Sequence, residues 1–259
     1  MRTDSDRNLS AEADPNPARK TRERVLTIKE KTLKALVLSS GGIDSTTAVA
    51  MAVDKYGKDE VCSLSLSYGQ KHDKEIDAAK AVAAFYNIEQ IFMDLESAFK
   101  YSDCSLLKRS NKQIPKKSYA EQILQTKEQS PVSTYVPFRN GLFLSTAAAI
   151  ALSKGCSKIY YGIHKDDAAG AAYPDCSAAF NNAMSTAIYE GSGSKLELVA
   201  PFVDMNKAQV VKIGLDLKAP YELTWSCYEG GEKPCGCCGT CIDRAKAFEL
   251  NGAIDPALL

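Results

Sequence analysis

Short apolar runs alternate with helical patterns along most of the chain, and this alternation constrains the fold more than any other feature. Apolar runs of strand length occur at residues 33–38, 61–67, 88–93, 158–163 and 196–199. Helical patterns lie between or after them, ending near residue 56 and covering residues 73–86, 140–153, 177–189 and 207–217. Parallel strands need long crossovers, and crossover helices cover both faces of the sheet. The sequence therefore predicts an α/β fold, with a parallel sheet and helices on both faces.

Two segments depart from this alternation. Residues 1–32 are polar and charged with few large apolar side chains, so burial cannot offset the entropy cost of ordering them. We predict a flexible N-terminal tail at 1–32 and one domain over 33–259. Residues 95–137 have weak periodicity and exceed the usual length of a connection. We interpret them as a substrate lid, an oligomer contact, or both.

Charge and hydropathy limit the kinds of molecule that this chain is expected to bind. Lys plus Arg and Asp plus Glu both number 32, so composition predicts no overall attraction to nucleic acid or to an anionic membrane. No run approaches the roughly 20 apolar residues that span a bilayer. The N-terminus is polar where a secretory signal is apolar. We expect a cytoplasmic protein with a small-molecule partner and neither a nucleic-acid nor a membrane partner.

The turn after the first predicted strand has the composition of an anion-binding loop. Its sequence, residues 40–45, is Ser-Gly-Gly-Ile-Asp-Ser, and the backbone N–H groups converge on a helix N-terminus. Asp44 is placed to hold Mg²⁺ against phosphates. A strand–helix turn with an N-cap serine is the alternative. The candidate nucleotide-binding residues are Leu38, Ser39, Ser40, Gly41, Gly42, Ile43, Asp44, Ser45 and Thr46.

Four cysteines near the C-terminus have the spacing of a metal site. The candidate ligands are Cys227, Cys235, Cys238 and Cys241. Four thiolates complete a zinc tetrahedron and leave no open position, which favours a structural ion held by a segment at about 221–250. Cys237 is predicted to stay outside the site. A redox Cys pair and an iron–sulfur cluster are the alternatives.

The loop at 40–45 resembles the SGGxDS signature of the pyrophosphatase-loop family, whose members split ATP between the α and β phosphates. Other strings resemble the 7-cyano-7-deazaguanine synthases of that family. They are YGQKH at 68–72 followed by Glu75, VPFRN at 136–140, YPDC at 173–176 and TWSCY at 224–228. The resemblance covers about residues 36–248. It departs at Lys71, where Arg is common, and at 168–172, where many relatives have a shorter, more polar link.

This resemblance implies an adenine-nucleotide α-hydrolase-like, or Rossmann-like, sheet with a C-terminal zinc-binding segment. It implies a carbon–nitrogen ligase that makes 7-cyano-7-deazaguanine from 7-carboxy-7-deazaguanine, ammonia and ATP in queuosine biosynthesis, through adenylated carboxylate and amide intermediates. The expected cofactors are ATP, Mg²⁺ and one structural Zn²⁺ per subunit, and the expected assembly is a homodimer. Asp44, Arg139 and Lys207 are the catalytic candidates, although Arg139 and Lys207 could equally be solvated helix cations.

The deazaguanine ring needs a stacking surface and hydrogen-bond partners. The substrate-binding candidates are Tyr68, Gln70, His72, Arg139, Asn140, Asp167, Tyr173 and Asp175. Cys176 is either a nucleophile or a buried thiol. A tRNA-thiolating enzyme of the same family and a relative that binds or conjugates deazaguanines are the alternative functions.

Overall fold

Five parallel strands form one sheet in the part of the chain that the computed structural model describes, residues 33–125, 131–169 and 172–258. The strands are β1 (Ala35–Leu38), β2 (Val61–Ser67), β3 (Glu89–Asp94), β4 (Lys158–Tyr160) and β5 (Glu197–Val199). Their spatial order is β3-β2-β1-β4-β5, so the winding direction reverses between β1 and β4. In such sheets ligands bind at the carboxyl ends of the strands beside the reversal. The predicted parallel α/β fold is confirmed, while the predicted tail at 1–32 lies outside the described residues.

Helices cover both faces of the sheet, as predicted. They are α1 (Ile43–Tyr56), α2 (Lys74–Tyr86), α3 (Tyr119–Gln125), α4 (Arg139–Ser153), α5 (Lys165–Ala168), α6 (Ala178–Gly191), α7 (Lys207–Asp216) and α8 (Gly239–Leu250). Alternate residues of β1 point to opposite faces. Leu36 and Leu38 pack in the cluster that contains Leu144 of α4, whereas Ala35 and Val37 pack in the cluster that contains Val49 of α1. None of the described helices combines the length and the apolar character that a membrane crossing requires.

Strand β4 is shorter than the sequence predicts. The apolar pattern predicts a strand over 158–163, but β4 ends at Tyr160. Two residues later, Gly162 passes close to α1, because a Cβ atom there would lie 3.0 Å from the carbonyl carbon of Asp44. The chain thus leaves the sheet to pass against the first turn of α1. This turn brings His164, the residue before α5, to the end of the sheet.

The segment at 95–137 is partly integrated into the core. Phe99, Leu107 and Val136 are buried in one hydrophobic cluster together with Cys238 and Cys241. A further link is an isolated antiparallel bridge between Gln70 and Leu107. The structure therefore packs much of this segment against the cysteine cluster. Its interpretation as a lid or an oligomer contact stays a prediction.

A buried ion pair fixes the chain that follows α8. Arg244 and Asp255 are only 6% and 5% exposed, and the Nε and Nη2 atoms of Arg244 donate to the carboxylate at 2.5 and 2.7 Å. Arg244 also donates to the Thr224 hydroxyl at 2.9 Å and to the Tyr221 carbonyl at 3.3 Å. This bidentate contact joins the C-terminus to the segment that precedes the cysteines.

We expect Asp255→Ala to lower the free energy of unfolding by about 3–5 kcal/mol, because it leaves the Arg244 charge buried without its partner. Denaturant unfolding measures this change. Asp216→Ala is the matched control, since it removes a carboxylate from the exposed Lys212 pair on α7. The control should cost less than about 1 kcal/mol. Equal losses in both variants would contradict the assignment.

Candidate active site

A cavity of about 880 Å³ opens at the carboxyl ends of β1, β2 and β4. Its walls include the loop after β1, the first turns of α2 and α4, the turn after β4, and one face of α8. This volume lies near the upper end of the range for small-molecule sites. It provides room for a nucleotide beside a second ligand.

The loop after β1 forms the phosphate end of this cavity. Ser45 organises it, because its hydroxyl accepts from the Ser40 backbone N–H at 3.1 Å and donates to the Gly42 carbonyl at 3.1 Å. Gly41 has a φ of 84°, and a Cβ atom there would overlap the Glu75 carbonyl oxygen of α2. Only glycine fits this left-handed, close-packed position.

Most of the predicted nucleotide contacts line the cavity. They are Leu38, Ser39, Ser40, Gly42, Ile43, Asp44 and Ser45. The Ser39 hydroxyl is buried and has no hydrogen-bond partner among the described residues, so it is available to a ligand oxygen. The other two predicted contacts, Gly41 and Thr46, are not among the described residues that line the cavity. Gly41 packs against α2, and Thr46 is fully buried.

Asp44 and Lys207 form an ion pair beside the phosphate loop, and His164 lies against both. The Lys207 ammonium donates to the Asp44 carboxylate. His164 Nε2 is 3.5 Å from Lys207 Nζ and 3.8 Å from Asp44 Oδ2. Burial would raise the pKa of Asp44, but the charges of Lys207 and His164 and the Lys207 hydrogen bond keep it below its ordinary value. Asp44 is therefore ionised at neutral pH.

Three more carboxyl groups surround this pair. His164 Nε2 is 3.5 Å from Asp167 Oδ2, and the Lys207 backbone N–H donates to Asp166 at 2.8 Å. Burial raises the pKa of Asp243 of α8, and the nearby Lys207 opposes the rise. A wall with this many carboxyl groups repels phosphates. A cation between the wall and the phosphates would remove that repulsion. The Asp44 Oδ1 atom is buried and has no hydrogen-bond partner among the described residues, which fits a divalent-cation ligand.

The other end of the cavity contains aromatic and polar side chains. Six predicted substrate contacts line the cavity: Tyr68, Gln70, Arg139, Asn140, Asp167 and Tyr173. The Arg139 guanidinium lies over the Tyr68 ring at 5.0 Å and the Phe143 ring at 6.0 Å. These contacts fix Arg139 at the N-terminus of α4, where the helix dipole also favours an anion.

Two predicted substrate contacts lie outside the described wall of the cavity. The His72 ring meets the Trp225 ring edge-on, with centroids 6.4 Å apart. The Asp175 side chain accepts from the Asn140 backbone N–H at 2.9 Å, and the Asn140 amide donates to the Asp175 carbonyl at 3.3 Å. Asp175 therefore holds the first turn of α4 in place.

Cys176 lines the cavity as a buried thiol. Its sulfur accepts from the Asn140 amide at 3.2 Å. Burial raises the pKa of Cys176 well above its ordinary value, and the carboxylates of Asp167 and Asp175 raise it further. The structure thus disfavours the thiolate that a nucleophile needs.

Several residues at the wall were not predicted to contact a ligand. They are Glu75, Tyr161, His164, Trp225, Ser226, Tyr228, Thr240, Asp243 and Lys246. A histidine directly after a predicted strand was a usable signal for His164, because parallel strands carry their sites at that end. The residues of α8 carry no such signal, because the cysteine-rich sequence there does not predict a helix.

The four predicted metal ligands come together. The sulfur atoms of Cys227, Cys235, Cys238 and Cys241 all lie within 4.8 Å of one another. A zinc tetrahedron with bonds of about 2.3 Å has sulfur–sulfur edges of about 3.8 Å. The Cys235 and Cys241 sulfurs are 4.0 Å apart, so the cluster fits such an ion. Cys237 is not part of this group.

The metal cluster is coupled to the cavity through α8. Cys238 is the N-cap residue of this helix, and Thr240, Asp243 and Lys246 of the same helix line the cavity. A hydrogen bond from the Cys241 thiol lowers the pKa of Cys238. An ion at the cluster would therefore fix one wall of the candidate active site.

Comparisons with known proteins identify the family of this chain. Residues 34–252 match the model of the family described as queuosine biosynthesis protein QueC. A 7-cyano-7-deazaguanine synthase from Archaeoglobus fulgidus is 41% identical over 227 residues, covering 87% of this chain and 90% of that protein. One from Caldicellulosiruptor bescii is 41% identical over 224 residues, covering 86% and 96%. The solved NMN synthetase from Francisella tularensis has a TM-score of 0.46 and 16% identity, covering 93% of this chain and 88% of that one.

Proposed function

Because this chain belongs to the queuosine biosynthesis protein QueC family, we propose that it converts 7-carboxy-7-deazaguanine and ammonia to 7-cyano-7-deazaguanine at the expense of ATP. The observation that carries the proposal is a single cavity that joins a phosphate loop to an aromatic and polar end. One ligand can place its acid group near the α-phosphorus of the other. This arrangement suits transfer of AMP to a carboxylate oxygen.

The first step is activation of the carboxylate, which is a poor electrophile at neutral pH. The backbone N–H groups at the start of α1, residues 43–45, hold the departing pyrophosphate, and the Ser39 hydroxyl adds a donor. Lys207 moves from Asp44 to the phosphate oxygens as their charge develops. Arg139, fixed over Tyr68, binds the substrate carboxylate. The substrate carboxylate attacks the α-phosphorus of ATP and displaces pyrophosphate. The product is a mixed anhydride of the carboxylate with AMP.

The second stage makes the nitrile. Ammonia attacks the acyl carbon, AMP leaves, and the amide remains in the cavity. A second AMP transfer to the amide oxygen, followed by loss of AMP and the remaining nitrogen protons, gives the carbon–nitrogen triple bond. Two molecules of ATP are consumed per nitrile in this scheme. Asn140 and Tyr173 line the aromatic and polar end of the cavity, here called the ring end. They hold the deazaguanine there between the two AMP transfers.

Two metal ions complete the proposal. Asp44 would hold Mg²⁺, which neutralises phosphate charge when it is bound. The four cysteines would hold one structural zinc per subunit, which fixes α8 against the cavity. A four-thiolate site is stable where thiols stay reduced, which supports a cytoplasmic location.

We also propose that the protein forms a homodimer. The strand β3 is at one edge of the sheet, and its Phe92 and Met93 side chains are 52% and 38% exposed. Exposed apolar side chains on an edge strand favour contact with a second chain.

The test of the reaction is identification of both products by mass spectrometry. With 7-carboxy-7-deazaguanine, ammonium and MgATP, we expect the nitrile together with AMP and pyrophosphate, at two AMP per nitrile. ADP would contradict the AMP-transfer chemistry. Turnover that required tRNA would favour a thiolating enzyme, and binding of the acid without AMP formation would favour a deazaguanine-binding protein.

A further inference from the structure

We infer that Glu75 of α2 is the catalytic base that removes protons from nitrogen during the proposed nitrile synthesis, on which this inference rests. The reaction needs such a group. Ammonium must lose a proton before it can attack, and the amide nitrogen must lose both of its protons to become a nitrile nitrogen. The residues that bind phosphate and substrate leave this task unassigned.

Glu75 stands where the two ends of the cavity meet. It lies in the first turn of α2 and lines the cavity. Its carbonyl oxygen packs against Gly41 of the phosphate loop. Its side chain interacts electrostatically with Arg139 and Tyr68 at the ring end. The reacting carbon must lie between the α-phosphorus and the ring, and therefore near this junction.

The other carboxyl groups of the described cavity wall are engaged elsewhere. Asp44 pairs with Lys207, and His164 lies within 4.0 Å of both Asp166 and Asp167. Asp243 interacts with the same group of charges. Asp44, Asp166 and Asp243 belong to the phosphate end, and Asp167 lies between His164 and Cys176, on which it also acts. Glu75 is the carboxyl group of this wall that faces Arg139 instead.

The surroundings of Glu75 suit proton transfer near neutral pH. Burial raises the pKa of Glu75 to about 7, and the positive charge of Arg139 opposes part of that rise. The charged and titratable groups that face it are Arg139 of α4 and Tyr68 of the segment before α2, and Tyr228 acts on Arg139 in turn. A base is most effective when its pKa lies near the working pH.

The proton balance is complete. In the first stage Glu75 takes one proton from ammonium, and the ammonia formed attacks the acyl carbon as AMP leaves. The resulting N-protonated amide loses a further proton to solvent. In the second stage the adenylated amide carries an iminium nitrogen, which gives one proton to Glu75 and one to solvent as AMP departs. Glu75 returns its proton to water between stages.

The decisive variant is Glu75→Gln, which keeps the size of the side chain and removes the base. With ammonium we expect nitrile formation to fall at least about 100-fold, the lower bound for loss of a general base. Hydroxylamine is largely a free base at neutral pH, so it needs no deprotonation before attack. The fold-loss in hydroxamate formation with hydroxylamine should therefore be at least tenfold smaller than the fold-loss in nitrile formation with ammonium.

The matched control is Asp77→Asn on the same helix, whose side chain is 70% exposed. It should leave both rates unchanged. An unaltered ammonium rate in Glu75→Gln would overturn the inference, and so would equal losses with the two nucleophiles. If the unaltered protein made no AMP from the acid, the proposed function would fail instead.

The protein without substitutions gives an independent test that does not depend on the folding of a variant. Its kcat/KM for ammonium, calculated from the concentration of the ammonium ion, should fall as the pH drops through about 7, because Glu75 then becomes protonated. The rate with hydroxylamine, at a constant concentration of its free base, should lack this acidic limb. Two profiles of the same shape would contradict a base at Glu75.

Discussion

Asp44→Asn is expected to lower nitrile formation about a thousandfold, the largest effect of a single change at the phosphate end. Asparagine has the same shape, so the loop geometry should persist. The substitution removes the charge that pairs with Lys207 and that would hold Mg²⁺ against the phosphates. Initial rates of AMP release at saturating MgATP measure the change.

The same substitution at another position of α1 is a suitable control. Asp54 is exposed near the C-terminal end of the helix, so Asp54→Asn should retain full activity. Thermal unfolding should show that both variants are folded, because Asp44 lies at the cavity and Asn keeps its volume. Undiminished turnover by Asp44→Asn would refute AMP transfer at this loop.

Cys238→Ser is expected to abolish metal binding and to unfold the C-terminal part of the domain. The free energy of zinc binding to small zinc-finger peptides is about 10–16 kcal/mol, so losing one of four ligands can remove several kcal/mol of folding stability. The four cysteines also pack with Tyr68, Phe99 and Leu107, which extends the effect into the wall of the cavity. Metal analysis by mass spectrometry and thermal unfolding measure both consequences.

Cys237→Ser provides the control for the metal site, because Cys237 is not part of the group of four. It should retain one zinc per chain and the same unfolding temperature. Iron with a visible absorption band would identify an iron–sulfur cluster instead of zinc. A full complement of metal in Cys238→Ser would contradict the assignment of the ligands.

The fold and the two motifs could be predicted because each depends on neighbours in the sequence. The βα alternation follows from the local spacing of apolar residues, and β1, β2 and β5 lie where that spacing predicts them. The phosphate loop is six consecutive residues with two glycines. The cysteine ligands span fifteen residues, too few for their grouping to need a long-range contact. Local chemistry therefore determined these features.

Tertiary packing decided the direction of the side chains at the site. Asp175, predicted to contact substrate, accepts a hydrogen bond from α4, and β4 ends at Tyr160 before Gly162 packs against α1. Glu75 and His164 reach one cavity from elements that are far apart in sequence. Sequence patterns reach only neighbouring residues, whereas a cavity is formed by whichever surfaces the packed sheet and helices leave facing one another.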